Sequence, residues 1–109
     1  MVLTKSPGDH GASVPGARNS RPRPGILLDR DGTIIVDHGY IGTIDRVEFI
    51  EGAADAIAGF NRAAIPVAVV TNQSGVARGL FRLEDVAVVH RYIADRLAER
   101  GAHIDLFIY

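Results

Sequence analysis

The sequence predicts an α/β domain built on a parallel sheet. Three short apolar runs, at residues 25–30, 66–70 and 104–109, alternate with two longer segments of helical periodicity. Two of the runs end in small polar residues, Asp29-Arg-Asp31-Gly-Thr33 and Thr71-Asn-Gln-Ser-Gly75. Short apolar runs bounded by such residues read as buried strands, and strands alternating with helices give βαβαβ with right-handed crossovers.

The first run is Gly25-Ile-Leu-Leu-Asp29-Arg30. Side chains two apart on a strand leave the same face. If the strand persists to residue 31, Asp29 and Asp31 point the same way at its C-terminal tip, where open α/β sheets bind ligands. Two close carboxylates repel, and a hard cation between them removes the repulsion. Residues 32–50 mix β-branched residues with Gly32, Gly39 and Gly42. They read as an irregular loop with a hairpin, set above the strand tip, where loops build sites.

Residues 52–63 read as a helix whose apolar stripe is Ala53, Ile57, Phe60 and Ala64, stopped by Pro66. Pro66-Val-Ala-Val-Val70 is the second strand, and residues 75–82 read as a loop. Residues 83–100 are the clearest helix. Val86, Val89, Ile93 and Leu97 share one face, Glu84 and Asp85 stand in the first turn, and Gly101 is placed for the C′ position. Residues 104–109 begin a third strand.

Residues 1–24 carry Lys5, Arg18, Arg21 and Arg23 against Asp9, with four prolines and no periodicity. Such a stretch cannot bury enough surface to offset its ordering entropy and reads as a disordered tail. Its charges are too sparse, and too free of aromatic residues, for a nucleic-acid arm.

The 109 residues suffice for one small domain. A 47% apolar content and a net charge of −1 fit a soluble globule. The absence of cysteine excludes thiolate metal sites and fits a reducing compartment such as the cytoplasm. No apolar run approaches a membrane span, and the N-terminus lacks a signal peptide's apolar core.

Two strand tips in one parallel sheet would converge on one ligand, and a phosphoryl group suits them. Asp29 would attack phosphorus to form an aspartyl phosphate. Asp31 would protonate the leaving alkoxide and then deprotonate water. The Thr71 hydroxyl and nearby backbone N–H groups would hold phosphoryl oxygens, and Mg²⁺ suits oxygen-only ligands. An EF-hand is excluded, because counting from Asp29 glycine falls fourth and Tyr40 twelfth. No P-loop pattern exists. Asn72-Gln73-Ser74 matches a glycosylation sequon without a secretion signal beside it. His10, His38, His90 and His103 lack metal-ligand spacing; His90 reads as a helix-surface residue and His103 as a loop residue. Arg78 reads equally as a phosphate contact or a solvated loop charge.

Ile26-Leu-Leu-Asp-Arg-Asp-Gly-Thr-Ile-Ile-Val-Asp-His-Gly-Tyr40 resembles the first motif of haloacid dehalogenase (HAD) superfamily phosphatases. More narrowly, it resembles the D-glycero-D-manno-heptose 1,7-bisphosphate and histidinol-phosphate phosphatases. Val69-Val-Thr-Asn-Gln-Ser-Gly-Val-Ala-Arg-Gly79 resembles their second motif.

The resemblance covers about residues 25–109 and implies a Rossmann-like HAD core, here a three-stranded parallel βαβαβ unit forming the N-terminal half of the domain. It implies Asp29 as nucleophile and magnesium ligand, and Asp31 as acid/base that also binds Mg²⁺ through its backbone carbonyl. Asp37, His38, Gly39 and Tyr40 would contact a small-molecule sugar phosphate. Thr71 would stabilise the phosphoryl group, with Asn72, Gln73 and Ser74 beside it. Asp37-His-Gly-Tyr40 leans toward the heptose bisphosphate over histidinol phosphate. No nucleic acid or membrane partner is implied.

The family's third strand runs into a zinc-binding loop, and an Arg-Lys pair and a fourth strand with a further magnesium carboxylate follow. The chain ends at Tyr109, where that loop would begin. The expectation is therefore a truncated, impaired chain without the Zn²⁺ site. A non-catalytic fragment that binds Mg²⁺ or phosphate, or needs a separate second half, is the rival expectation. The missing fourth strand would lie beside the first and leave the strand bearing Asp29 as an open edge.

Overall fold

The computed structural model describes residues 3–5 and 24–109. Strands β2 (Ile26–Asp29), β3 (Val67–Val70) and β4 (Leu106–Ile108) pair in parallel in the order β4-β3-β2. The register sets Leu28 beside Val69, and Val69 beside Phe107. The parallel βαβαβ order expected from the sequence is present.

The sheet has one strand more than expected. β1 (Leu3–Lys5) pairs antiparallel with β4, Thr4 opposite Phe107. The reading of residues 1–24 as a disordered tail fails at this segment. Val2-Leu-Thr4 is a short β-favouring run, and the free edge of β4 offers an unpaired backbone ladder. The rest of the proposed tail, residues 1–2 and 6–23, lies outside the described residues. Among the described strands, β2 is an edge.

Both crossovers step along the sheet in the same direction, so right-handed connections carry both long helices to one face. Helix α1 (Ala53–Arg62) and helix α3 (Leu83–Ala98) cover that face. Ile57, Val89, Ile93 and Leu97 pack there with Val67, Val69 and Phe107, each at most 2% exposed. The opposite face is open: Leu27 is 72% and Val70 38% exposed.

The segment between β2 and α1 is the expected irregular hairpin. Ile35 bridges Phe49, and the Val36 and Ile50 N–H groups donate to the Glu48 and Ile34 carbonyls. One 3₁₀ turn, Ile44–Arg46, caps the excursion. Buried Ile34, Ile35 and Ile41 fasten the loop to the core. Residues 75–82, read as loop, begin with a single helical turn, α2 (Ser74–Ala77).

Helix α1 stops before Pro66 can act. The Ile65 N–H donates to the Phe60 carbonyl and the Ala64 N–H to the Asn61 carbonyl, a Schellman motif with Ala64 in the left-handed region at φ 58°. Helix α3 ends with the same two bonds, from Ala102 to Leu97 and from Gly101 to Ala98, around Gly101 at φ 74°. Glycine meets this demand at no steric cost, and alanine does not. Ala64→Gly is expected to stabilise the fold by about 0.5–1 kcal/mol, and Gly101→Ala to destabilise it by a similar amount. Paired urea titrations of the two variants check the opposite signs.

Candidate active site

The backbone ladder of β2 ends at Asp29, not at residue 31. Asp31 continues only as an isolated bridge partner of Ile35. A tight turn takes over: the Arg30 carbonyl accepts from Thr33, Ile34 and Ile35, and the Gly32 N–H donates to the Ile35 carbonyl at 2.7 Å. Gly32 sits at φ 84°, which suits glycine. Exposure still alternates through the turn. Asp29 is exposed, Arg30 is buried and Asp31 is half-buried.

Arg30 is 1% exposed, which is unusual for a guanidinium. Its Nε donates to Asp31 Oδ1 at 2.7 Å and its Nη2 to Asp31 Oδ2 at 3.3 Å. Its Nη1 donates to Nε2 of His90 at 3.1 Å. A guanidinium cannot accept a hydrogen bond, so the Gln73 amide turns its oxygen inward. In that orientation the oxygen accepts from Nη1 and Nη2 at 3.1 Å each, and from the Thr71 hydroxyl at 2.8 Å.

His90 is the clearest correction to the sequence reading. It is not a helix-surface residue: it is 2% exposed on the inner face of α3. It stacks on Phe107 at 4.4 Å and meets Tyr109 edge-on at 4.8 Å. Because Nε2 accepts from Arg30, the ring proton sits on Nδ1, which is buried and without a partner. Burial first, and then the Arg30 charge, push the His90 pKa down to about 3. His103 stands in the loop before β4 as expected, paired with Asp105.

The second tip is organised by close packing. Thr71 donates its backbone N–H to the Ile108 carbonyl at 2.9 Å, which ties the loop to β4. Gly75 is buried against Phe81; a Cβ there would lie 2.4 Å from the ring. A Cβ on Gly42 would meet the same ring at 2.7 Å. Phe81 thus clamps the hairpin loop and the second tip together, and neither glycine can carry a side chain without moving it.

The hairpin loop is shaped by its own polar groups. Asp37 Oδ1 accepts from the Gly39 N–H at 3.0 Å, and Gly39 sits at φ 88°. His38 pairs with Glu48 at 2.9 Å, and Arg46 donates to the His38 carbonyl at 2.6 Å. Tyr40 is 43% exposed, with the Arg78 guanidinium 5.8 Å from its ring centre.

Asp31, Asp37, Gly39, Tyr40, Asn72, Gln73 and Ser74 line one cavity of about 210 Å³. Asp29, His38 and Thr71 are not on its wall; Thr71 reaches it through Gln73. His38 lies on a neighbouring cavity of about 610 Å³ that shares Gly39, Tyr40 and Phe81 with the first. Sequence reasoning missed Arg30, Gly75 and Phe81, which line the smaller cavity, and His90 behind it. The parity of β2 carried a signal for Arg30, which falls on the face opposite Asp29.

The donor set suits Mg²⁺, which takes one or two carboxylates and keeps waters and phosphate oxygens in its other positions. Asp29 would supply one such carboxylate, and Asp31 its backbone carbonyl. Among the described residues no group of three or more His, Cys, Asp or Glu gathers, as a cage for other metals would require.

No protein-family model matches the chain. Curated relatives do. It is 47% identical over 83 residues to the D-glycero-β-D-manno-heptose-1,7-bisphosphate 7-phosphatase of Rhodopseudomonas palustris, spanning 76% of this chain and 46% of that protein. It is 44% identical over 86 residues to the protein of the same name from Escherichia coli K12, spanning 79% of this chain and 45% of that protein. A solved D,D-heptose 1,7-bisphosphate phosphatase from B. bronchiseptica, complexed with magnesium and phosphate, superposes with a TM-score of 0.74 at 34% identity. That match covers 80% of this chain and 49% of the other. A solved HAD-like phosphatase from Mesorhizobium loti gives 0.74 at 44% identity, covering 77% and 40%. Over these residues the chain is similar in sequence and fold to HAD-like phosphatases. It spans a little under half the length of the curated relatives it matches. No described helix is long and apolar enough to cross a membrane.

Two measurements test the site's architecture. Gly75→Ala must displace Phe81 and is expected to destabilise the fold by about 1–3 kcal/mol; thermal melts beside the wild type check it. His90 has a lower pKa folded than unfolded, so the unfolded chain binds the proton more readily. Stability is full above about pH 6.5 and falls toward pH 3 by about 1.4 kcal/mol per unit. Relative to His90→Phe, the wild type is expected to lose about 2 kcal/mol between pH 7 and pH 5, read from urea midpoints.

Proposed function

We propose that the chain carries the nucleophile and acid/base end of a HAD-type phosphomonoester hydrolase. Its substrate would be a sugar bisphosphate, D-glycero-D-manno-heptose 1,7-bisphosphate cleaved at the C7 phosphate. One observation carries this reading: the Asp31 end of β2 and the Asn72–Ser74 end of β3 meet on one cavity, together with Asp37, Gly39 and Tyr40. The relatives at 44–47% identity that carry the heptose-bisphosphatase name support it, as does the magnesium and phosphate complex of a structural neighbour.

Asp29 is exposed at the strand tip and would supply the attacking carboxylate oxygen. An Asp29 O–P bond forms as the bond to the sugar oxygen breaks. Asp31 donates a proton to the departing alkoxide, and then takes one from the water that releases phosphate and restores Asp29. Asn72, Ser74 and Gly75 line the cavity where phosphoryl oxygens would sit. Tyr40, Gly39 and Asp37 would hold the sugar. Mg²⁺, held by the Asp29 carboxylate and the Asp31 backbone carbonyl, would neutralise charge between carboxylate and phosphoryl oxygens when bound.

The test is phosphate release from the heptose bisphosphate. The 109-residue chain alone is expected to be silent. Joined to the part of the Rhodopseudomonas palustris relative that it does not match, it is expected to show magnesium-dependent turnover. Asp29→Asn should reduce that turnover by about 10⁴-fold or more. A folded joined protein that hydrolyses no phosphomonoester, or one indifferent to Asp29→Asn, would sink the reading.

A further inference from the structure

Arg30 lines the cavity, and an arginine there invites the reading of a phosphate ligand. Its hydrogen bonds exclude that role. A guanidinium has five N–H groups. Nε–H goes to Asp31, the two on Nη1 go to His90 and Gln73, and the two on Nη2 go to Gln73 and Asp31. Every donor is taken from within the chain, and the side chain is 1% exposed.

We propose that Arg30 is a positioning residue: seated on His90, it fixes the Asp31 carboxylate and the Gln73 amide at the cavity wall. The two halves of the site come from different strands, and one planar fork joins them. A planar fork holds two acceptors at set angles, which a lysine ammonium cannot do. His90 closes the arrangement from α3. It accepts at Nε2 and leaves Nδ1 buried and unpartnered, so its ring is placed to serve Arg30 and not to satisfy itself. The stack on Phe107 and the edge contact with Tyr109 keep the ring there. The phosphatase reading enters only in what Asp31 and Gln73 are positioned to do.

The test uses the whole 109-residue chain and two variants at His90. His90→Phe keeps the ring stack and removes the acceptor; His90→Gln keeps an acceptor. NMR of the Asp31 carboxyl carbon, the Gln73 amide and the Arg30 Nε–H reads the geometry directly. In His90→Phe the Asp31 and Gln73 signals are expected to move, and the Arg30 Nε–H to exchange with water about tenfold faster. His90→Gln should restore all three, although both variants lose the His90 ring chemistry. Arg30→Lys should move the Asp31 and Gln73 signals as His90→Phe does, and it decides the matter if His90→Phe fails to fold.

Unchanged Asp31 and Gln73 signals in His90→Phe and in Arg30→Lys would overturn the proposal. So would equal displacement in His90→Phe and His90→Gln, which marks general packing. Titration with inorganic phosphate and Mg²⁺ forms a separate arm: affinity is expected to fall about tenfold in His90→Phe and to recover in His90→Gln. A wild type without phosphate affinity would count against the phosphatase reading, while the NMR signals would still decide the role of Arg30.

Discussion

A buried guanidinium is the constraint on which the site depends. Moving a charge out of water costs several kcal/mol unless hydrogen bonds replace its hydration. Arg30 is 1% exposed, so everything near it must accept. Asp31 does so with both oxygens, Gln73 by turning its amide, and His90 by staying neutral. That demand reaches across three elements. It fixes a carboxylate after β2, an amide after β3 and a ring on α3. The Arg30 carbonyl also caps the turn behind it, accepting from Thr33, Ile34 and Ile35. One residue thus orders the end of the first strand twice, through its backbone and through its side chain.

A second constraint is handedness. The strand order β4-β3-β2 with right-handed crossovers leaves α1 and α3 no choice of face. The core therefore lies on one side of the sheet. Leu28, Val69 and Phe107 share it through the register, and His90 reaches the tip of β2 because α3 runs across that side. The same constraint leaves Leu27 and Val70 facing outward on the other side. Asp29 is two residues from Leu27 on that face, so the exposure of the carboxylate and the openness of the sheet have one cause.

Much of this was legible in the sequence because it rests on local pattern. The three parallel strands follow from apolar runs, and α3 follows from Val86, Val89, Ile93 and Leu97 at helical spacing. Gly101 marks its own helix end. The rest depends on tertiary context. Helix α1 ends through Ala64 in a conformation that no one would assign to alanine from sequence, and Pro66 only coincides with that end. His90 lies four residues after Val86 and three before Ile93, so helical spacing alone places it on the buried face of α3. What the pattern does not show is its partner, a guanidinium sixty positions away in the chain. Leu3–Lys5 is a strand only because β4 offers it an edge. At the site, Asp31, Asp37, Gly39, Tyr40 and Asn72–Ser74 were found by motif, but Phe81 was not. Its role is to fill the space that Gly42 and Gly75 vacate, which no pattern announces.

The two aspartates of the first motif are therefore unequal in this chain. Asp31 is held at both oxygens by the residue beside it, and its partner Arg30 is in turn held by α3. Asp29 is exposed, and among the described residues no hydrogen bond restrains its carboxylate. A group that relays protons benefits from a fixed direction toward the leaving oxygen. A nucleophile benefits from free lone pairs until a cation and a phosphoryl group orient it. The asymmetry follows from strand parity. With Arg30 turned inward between them, only the aspartate after the strand end can bend back to meet the guanidinium, and the one within the ladder keeps its face.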